Sequence, residues 1–138
     1  MSNKAVSGML LTLLLIWTLF LTFKIQSVNA NVKTILVPDD YPTIQEAINA
    51  ARDEDIILVS SGTYYEHVVV NKSIWLVGQD RSNTTVDGAG NGTILAVTKD
   101  NIKITGFTIQ NSDPFHYPNA GIYIQNNVTD CNIIEIAA

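Results

Sequence analysis

The hydrophobic pattern changes twice along the chain. Residues 9–23 are almost wholly apolar, and residues 44–51 place apolar side chains on one helical face. The positions on that face are Ile44, Ala47, Ile48 and Ala51. Their i, i+3, i+4, i+7 spacing predicts one amphipathic helix, with Pro42 suited to its first turn. Before it, residues 34–37 predict a short strand. From Ile56 onward, runs of Ile, Val and Thr alternate with Gly and Asn, which predicts strands and no helix.

The strand-rich part repeats itself. Segments beginning at Val68, Ile94 and Gly121 superpose, giving intervals of 26 and 27 residues. A repeat of this size without a helix favours a solenoid, in which each coil pairs its backbone with the coils above and below. We expect left-handed backbone at the Asn residues that follow strands; these are Asn71, Asn111 and Asn126. A β-sandwich is the alternative, but it would need frequent hairpin signals, and residues 87–92 are the one short Gly-rich candidate.

The N-terminus is typical of an export signal. Lys4 precedes the apolar run, and Val28-Asn29-Ala30 places small residues at the −3 and −1 positions of a cleavage site. The run is shorter than the roughly 20 residues that span a bilayer. We therefore predict a signal peptide over residues 1–30, with an uncleaved anchor as the alternative, and a protein that is secreted or held at the cell surface. A membrane is expected to be contacted only through this segment, and only if the segment stays uncleaved.

Composition narrows the function classes. The net charge of −5 argues against a basic nucleic-acid binder, and we predict no nucleic-acid partner. The single cysteine, Cys131, forms no intrachain disulfide and is expected to be a small buried thiol. Four Asn-x-Ser/Thr triplets are candidate glycosylation sites; they are Asn71, Asn83, Asn91 and Asn127.

Three motifs carry a resemblance to a known family. They are Val37-Pro38-Asp39-Asp40-Tyr41-Pro42-Thr43-Ile44-Gln45-Glu46-Ala47-Ile48, Gly62-Thr63-Tyr64-Tyr65-Glu66 and Leu76-Val77-Gly78. Together they resemble the opening of right-handed parallel β-helix proteins of the pectin-lyase-like superfamily, which carry the PbH1 repeat. The likeness is strongest to exported proteins with the periplasmic copper-binding (NosD-like) repeat and more distant to pectinesterases. It implies an all-β, right-handed, single-stranded parallel β-helix of about three coils, closed at its N-terminal end by the helix.

From these residues we expect no catalytic residue, metal site or cofactor in this chain. A pectinesterase site needs an acidic pair and an arginine on later coils, whereas Arg81 lies in a polar turn. The nitrogen and sulfur donors after residue 30 are His67, His116 and Cys131, which are scattered, while soft copper sites use clustered donors. We expect Tyr64 and Glu66 to stabilise a turn. The acids Asp53, Glu54, Asp55 and Asp87 are expected on the solvated surface.

One irregular stretch, residues 111–119, is the candidate ligand site. It combines an acid, an imidazole, an amide and two aromatic rings, as sugar-binding surfaces do; the residues are Asp113, Phe115, His116, Tyr117 and Asn119. The alternative is a long turn fixed by its prolines, whose aromatic rings shield the coil. An acid and an imidazole also suit proton transfer, but no nucleophile or second carboxylate stands at a known spacing.

These observations predict a secreted or surface scaffold that contacts polysaccharide or cell-envelope glycan and performs no catalysis itself. The alternative is the N-terminal fragment of a lyase, hydrolase or esterase acting on polysaccharide, with its groove on later coils. Residues 31–138 are expected to be the N-terminal part of a β-helix domain that is incomplete at its C-terminal end, because Ile136-Ala137-Ala138 offers no cap.

Overall fold

The computed structural model describes residues 8–13, 31–113, 115 and 119–138. The chain divides into two units, Met1–Ala30 and Asn31–Ala138. In the first unit, residues 8–13 are helical. No helix among the described residues is long and apolar enough to cross a membrane. The predicted cleavage site at residues 28–30 lies outside the described residues.

The second unit is built from strands and one short helix. The strands are β1 (Thr34–Val37), β2 (Ile56–Val59), β3 (Gly62–Tyr64), β4 (Val68–Val70), β5 (Trp75–Gly78), β6 (Thr84–Asp87), β7 (Leu95–Val97), β8 (Ile102–Gln110), β9 (Ile122–Ile124) and β10 (Cys131–Ala137); the helix is α1 (Ile44–Ala50). Every strand pairing among the described residues is parallel. The predicted all-β class and the strand at residues 34–37 are therefore confirmed.

The strands form three stacks. The first stack is β1, β2, β5 and the opening halves of β8 and β10, and the second is β3, β6 and the closing halves of β8 and β10. The third stack is β4, β7 and β9. β8 passes from the first stack to the second at Gly106, where φ is +80°. Glu135, with φ of +53°, occupies the matching position of β10.

The core lies where the inward faces of the stacks meet. In the first stack one column of register partners runs through Ile35, Ile57, Leu76 and Ile104. Each of these side chains is at most 1% exposed. β-branched and Leu side chains stack well on a pleated surface, so each strand adds a layer to a continuous apolar column. Alternate residues, such as Trp75 and Lys103, point to the outer face.

The third stack corrects the predicted repeat by one residue. Val68 pairs with Leu95, and Leu95 pairs with Ile122, so both intervals are 27 residues. The predicted partner Ile94 instead accepts the Val68 N–H through its carbonyl oxygen at 2.7 Å. Ile94 and Leu95 are both fully buried. This breaks the period-two alternation that would have fixed the register.

Helix α1 begins at its N-cap Thr43, whose hydroxyl oxygen accepts the Glu46 N–H at 3.1 Å. Pro42 precedes this cap and so lies just outside the first turn where it was predicted. The helix buries Ile44, Ala47 and Ile48, as its periodicity predicted, and contacts β1, β2 and β4. It thereby packs its apolar face against strands of the first and third stacks.

Backbone conformation at the strand ends agrees with the prediction at one of three asparagines. Asn111 has φ of +59°, whereas Asn71 and Asn126 are not left-handed. Asn127, one residue later, takes φ of +76°. Asn101 and Asp130, which stand at matching positions before β8 and β10, are also left-handed, at +57° and +55°.

Candidate functional site

The predicted ligand loop, residues 111–119, connects β8 with β9. Two hydrogen bonds tie its region to the preceding turn: the Asp113 N–H donates to Gly92 O at 3.3 Å, and the Ala120 N–H donates to Thr93 Oγ1 at 3.3 Å. Both ends of the loop are therefore tied to Gly92 and Thr93, in the turn that precedes β7.

Within this loop the carboxylate of Asp113 organises its neighbours. Its Oδ1 accepts the Phe115 N–H at 2.8 Å, and its Oδ2 accepts the Asn119 amide at 3.2 Å. The structure thus brings Asp113 and Asn119 together. The Phe115 side chain is 87% exposed and shields nothing. His116 and Tyr117 lie outside the described residues.

Tyr64 and Glu66 have two different roles. The Tyr64 hydroxyl donates to Ser60 O at 2.9 Å across the β2–β3 turn, as predicted. Burial raises the pKa of this phenol, helped by the nearby charges of Glu66 and Asp39. Glu66 Oε1 and Oε2 instead accept the N–H groups of Ile44 and Gln45, both at 3.0 Å. Glu66 therefore caps α1 from a distant turn, because the first N–H groups of a helix lack intrahelical partners.

Asp55 is buried, and the expectation of a solvated position was wrong. Its Oδ1 accepts the Lys33 N–H at 2.9 Å, and its Oδ2 accepts the Arg52 N–H at 2.8 Å. Burial by itself would raise the pKa of Asp55. The two backbone donors and the positive charges of Arg52 and Lys33 outweigh it and lower that pKa below its usual value.

Asp87 is buried as well, at 5% exposure, again against expectation. Its Oδ2 accepts the side-chain amides of Gln110 and Asn111, both at 2.8 Å, and its Oδ1 accepts the Ala89 N–H at 2.8 Å. The Gln110 amide contributes most to lowering the pKa of Asp87, followed by the Ala89 N–H. Both acids hold turns together and are structural.

The candidate glycosylation sites and the cysteine occupy different environments. All four asparagine acceptors are exposed and stand outside the strands; they are Asn71, Asn83, Asn91 and Asn127. Cys131 is half-buried, and burial raises the pKa of its thiol. In the described part of the chain, no three His, Cys, Asp or Glu side chains are grouped so that they could hold a metal ion.

A groove on the outer face of the first stack was missed by the sequence interpretation. It encloses about 520 Å³ and is lined by Val32, Asp53, Glu54, Ile56, Ser73, Trp75 and Asn101. The indole of Trp75 is 49% exposed. Lys103, its register partner on β8, places its Nζ 4.9 Å from the ring centroid. The signal was in the sequence: Trp75 stands between the buried Ile74 and Leu76, at an outward position where a polar side chain is usual.

Comparison with known proteins gives one informative relationship. The chain is 33% identical over 106 residues to a protein of Methanothermus fervidus named cell surface glycoprotein. The matched region covers 75% of this chain. The chain spans only 16% of the length of that relative. No protein-family model matches the chain.

The described candidate residues fall into two groups by their contacts and exposure. Tyr64, Glu66, Asp55 and Asp87 hold the fold together through hydrogen bonds to turns and to the helix. The loop with Phe115 and the groove with Trp75 present exposed aromatic rings beside polar groups. The second group is therefore where a ligand has access.

Proposed function

We propose that this chain is an exported cell-surface scaffold, built as a right-handed parallel β-helix of the pectin-lyase-like type, which contacts cell-envelope glycan. The observation that carries the proposal is the stacking of three sets of parallel strands in register. In such stacking each coil contacts its neighbours through backbone pairing, so a similar outer surface recurs from coil to coil. A repeated outer surface suits a structural protein outside the cell.

The surface location is supported by two independent features. The relative from Methanothermus fervidus is named a cell surface glycoprotein, and the similarity covers 75% of this chain. The first thirty residues have the charged start, apolar run and small-residue site of an export signal. The four exposed asparagine acceptors are proposed glycosylation sites of the exported chain.

Glycan contact is proposed at the loop of residues 111–119. Aromatic rings pack against the apolar face of a pyranose, and amides exchange hydrogen bonds with its hydroxyl groups. Phe115 is the most exposed large apolar residue among those described in the second unit, and the Asn119 amide stands beside the Asp113 carboxylate. His116 and Tyr117 complete the proposed set.

The location is tested by tagging the full chain in a host that exports it and exposing intact cells to a protease. Loss of the tagged protein from intact cells, with a cytoplasmic marker untouched, is expected. Protection until the cells are lysed would contradict the surface assignment.

The glycan contact is tested by measuring how much full-length chain is retained on insoluble envelope polysaccharide. Phe115→Ala is expected to reduce retention several-fold. Tyr65→Ala is the matched control, because Tyr65 is also an exposed aromatic residue, at 73%, but lies between β3 and β4. No retention of the unaltered chain would contradict glycan contact, and equal retention of both variants would contradict the role of the loop.

A further inference from the structure

The groove beside Trp75 has rigid walls. Asp53 Oδ1 accepts the Ser73 N–H at 2.9 Å, and the Glu54 N–H donates to Ser73 O at 2.6 Å. The Ser73 hydroxyl donates to Asp100 O at 2.7 Å, which ties the same wall to the next turn. The Asp53 carboxylate, the Ser73 hydroxyl and the Glu54 backbone are thus held in place before any ligand arrives, which lowers the entropy that binding must overcome.

Trp75 is held from one side and open on the other. Its strand β5 lies between β2 and β8. Lys103 on β8 lies over the indole. On the other side, Ile56 of β2 is the register partner of Trp75 and lines the groove. The indole therefore forms a supported aromatic wall facing the groove.

The charges around the groove select the chemistry of its ligand. Asp53 and Glu54 disfavour an anion, because like charges at close range oppose binding. Lys103 already provides the cation that an indole attracts, so a second cation at Trp75 would meet repulsion. An uncharged ligand with an apolar face and many hydroxyl groups satisfies both conditions. Its hydroxyl groups would donate to the carboxylates, and its C–H face would pack on the ring.

We propose that this groove binds neutral hexose units of a polysaccharide, with Trp75 as the stacking platform and Asp53, Glu54 and Asn101 as hydrogen-bonding partners. The inference rests on the proposed function only in taking a saccharide as the ligand. The site is separate from the loop of residues 111–119, because it lies on the first stack and the loop adjoins the third.

The test is the fluorescence of Trp75 in the full chain carrying Trp17→Phe, which leaves one tryptophan. Neutral gluco- and manno-oligosaccharides are titrated in parallel with oligogalacturonate and oligolysine. We expect a saturable change in Trp75 emission with at least one neutral oligosaccharide and none with the two charged probes. A response to oligolysine or oligogalacturonate without one to the neutral sugars would overturn the proposal, as would no response to any probe.

A second variant pair links the response to the groove. Glu54→Gln is expected to weaken binding on the order of tenfold, the effect of losing a charge-assisted hydrogen bond. Glu46→Gln, an exposed acid on α1, is expected to leave it unchanged. Equal behaviour of the two variants would contradict the site. Retention on envelope polysaccharide without a Trp75 response would agree with the proposed function and contradict the groove site. A Trp75 response without retention would agree with the groove site and contradict the proposed envelope contact.

Discussion

Gly78 and Gly106 lie against each other where β5 ends and β8 bends. A Cβ placed on Gly78 would stand 2.0 Å from the carbonyl oxygen of Gly106, and one placed on Gly106 would stand 2.3 Å from that of Gly78. No side chain fits between these backbones. The passage of the chain from the first stack to the second therefore depends on two residues without a Cβ.

Gly78→Ala is expected to lower the free energy of unfolding by about 3 kcal/mol or more, because the contact is with backbone and cannot be relieved by a rotamer change. Gly90→Ala is the control: Gly90 has φ of +74° but nothing within 4 Å of an added Cβ. That variant should lose only about 1–2 kcal/mol, the cost of left-handed backbone. Urea unfolding of the full chain measures both, and equal losses would show that the close approach has no energetic weight.

Glu135 offers the reverse experiment. It takes φ of +53° at the position of β10 that matches Gly106, and its carboxylate accepts the Thr105 hydroxyl at 3.3 Å. Glu135→Gly should leave stability unchanged or raise it by up to about 1 kcal/mol, since glycine relieves the left-handed strain but adds chain entropy. Glu135→Val should lower it. A stabilising valine would mean that β10 does not bend at this residue.

The cap that Glu66 places on α1 is expected to stabilise the chain. Glu66→Ala removes both acceptors of the Ile44 and Gln45 N–H groups and should cost about 2 kcal/mol, as for hydrogen bonds to a charged group. Glu46→Ala, in the first turn of the same helix, should cost less than about 1 kcal/mol through the helix dipole alone. Denaturant unfolding midpoints of the two variants give the comparison. Costs of equal size would argue against a cap made by Glu66.

Acid is expected to destabilise the fold through Asp55 and Asp87. Both have pKa values in the folded chain below the ordinary 3.8. Their contribution is complete above the unfolded-state pKa and is lost as the pH falls through the lower folded-state values. The urea midpoint should therefore drop below about pH 4. Asp87→Asn should make that drop smaller. Asp130→Asn, at an exposed position, is the control and should leave the drop unchanged. An unchanged pH profile for Asp87→Asn would contradict the stabilising role of the Asp87 carboxylate.

How much of this could be predicted from the sequence depends on the range of the interactions. The helix follows from the spacing of its apolar residues, and the strand Thr34–Val37 and the parallel all-β class follow from composition and repeat. These are local or periodic signals. The register between Val68 and Leu95 was missed by one residue, because consecutive buried residues erase the alternation.

The polar residues were harder to place, since their roles depend on partners distant in sequence. Asp55 binds the N–H of Lys33, and Glu66 binds that of Ile44, each 22 residues away. Sequence alone does not reveal a backbone donor so far away, so a carboxylate in a polar turn is predicted to be exposed to solvent. At the candidate site, Asp113 and Asn119 lie within one irregular loop and could be grouped from sequence, whereas the groove beside Trp75 joins residues from several turns.

The central claim, that strands stack in register as a parallel β-helix, is tested most directly by disulfide formation between engineered cysteines in a Cys131→Ser background. Thr63 pairs with Thr85, and Thr85 pairs with Thr108. Neighbouring strands lie about 4.8 Å apart, which is within reach of a disulfide. Strands separated by a third strand lie about twice as far apart, which is beyond that reach. We predict that mild oxidation of the full chain cross-links the Thr63→Cys/Thr85→Cys and Thr85→Cys/Thr108→Cys variants and leaves Thr63→Cys/Thr108→Cys reduced. Cross-linking of the last variant, or of none, would contradict the stack.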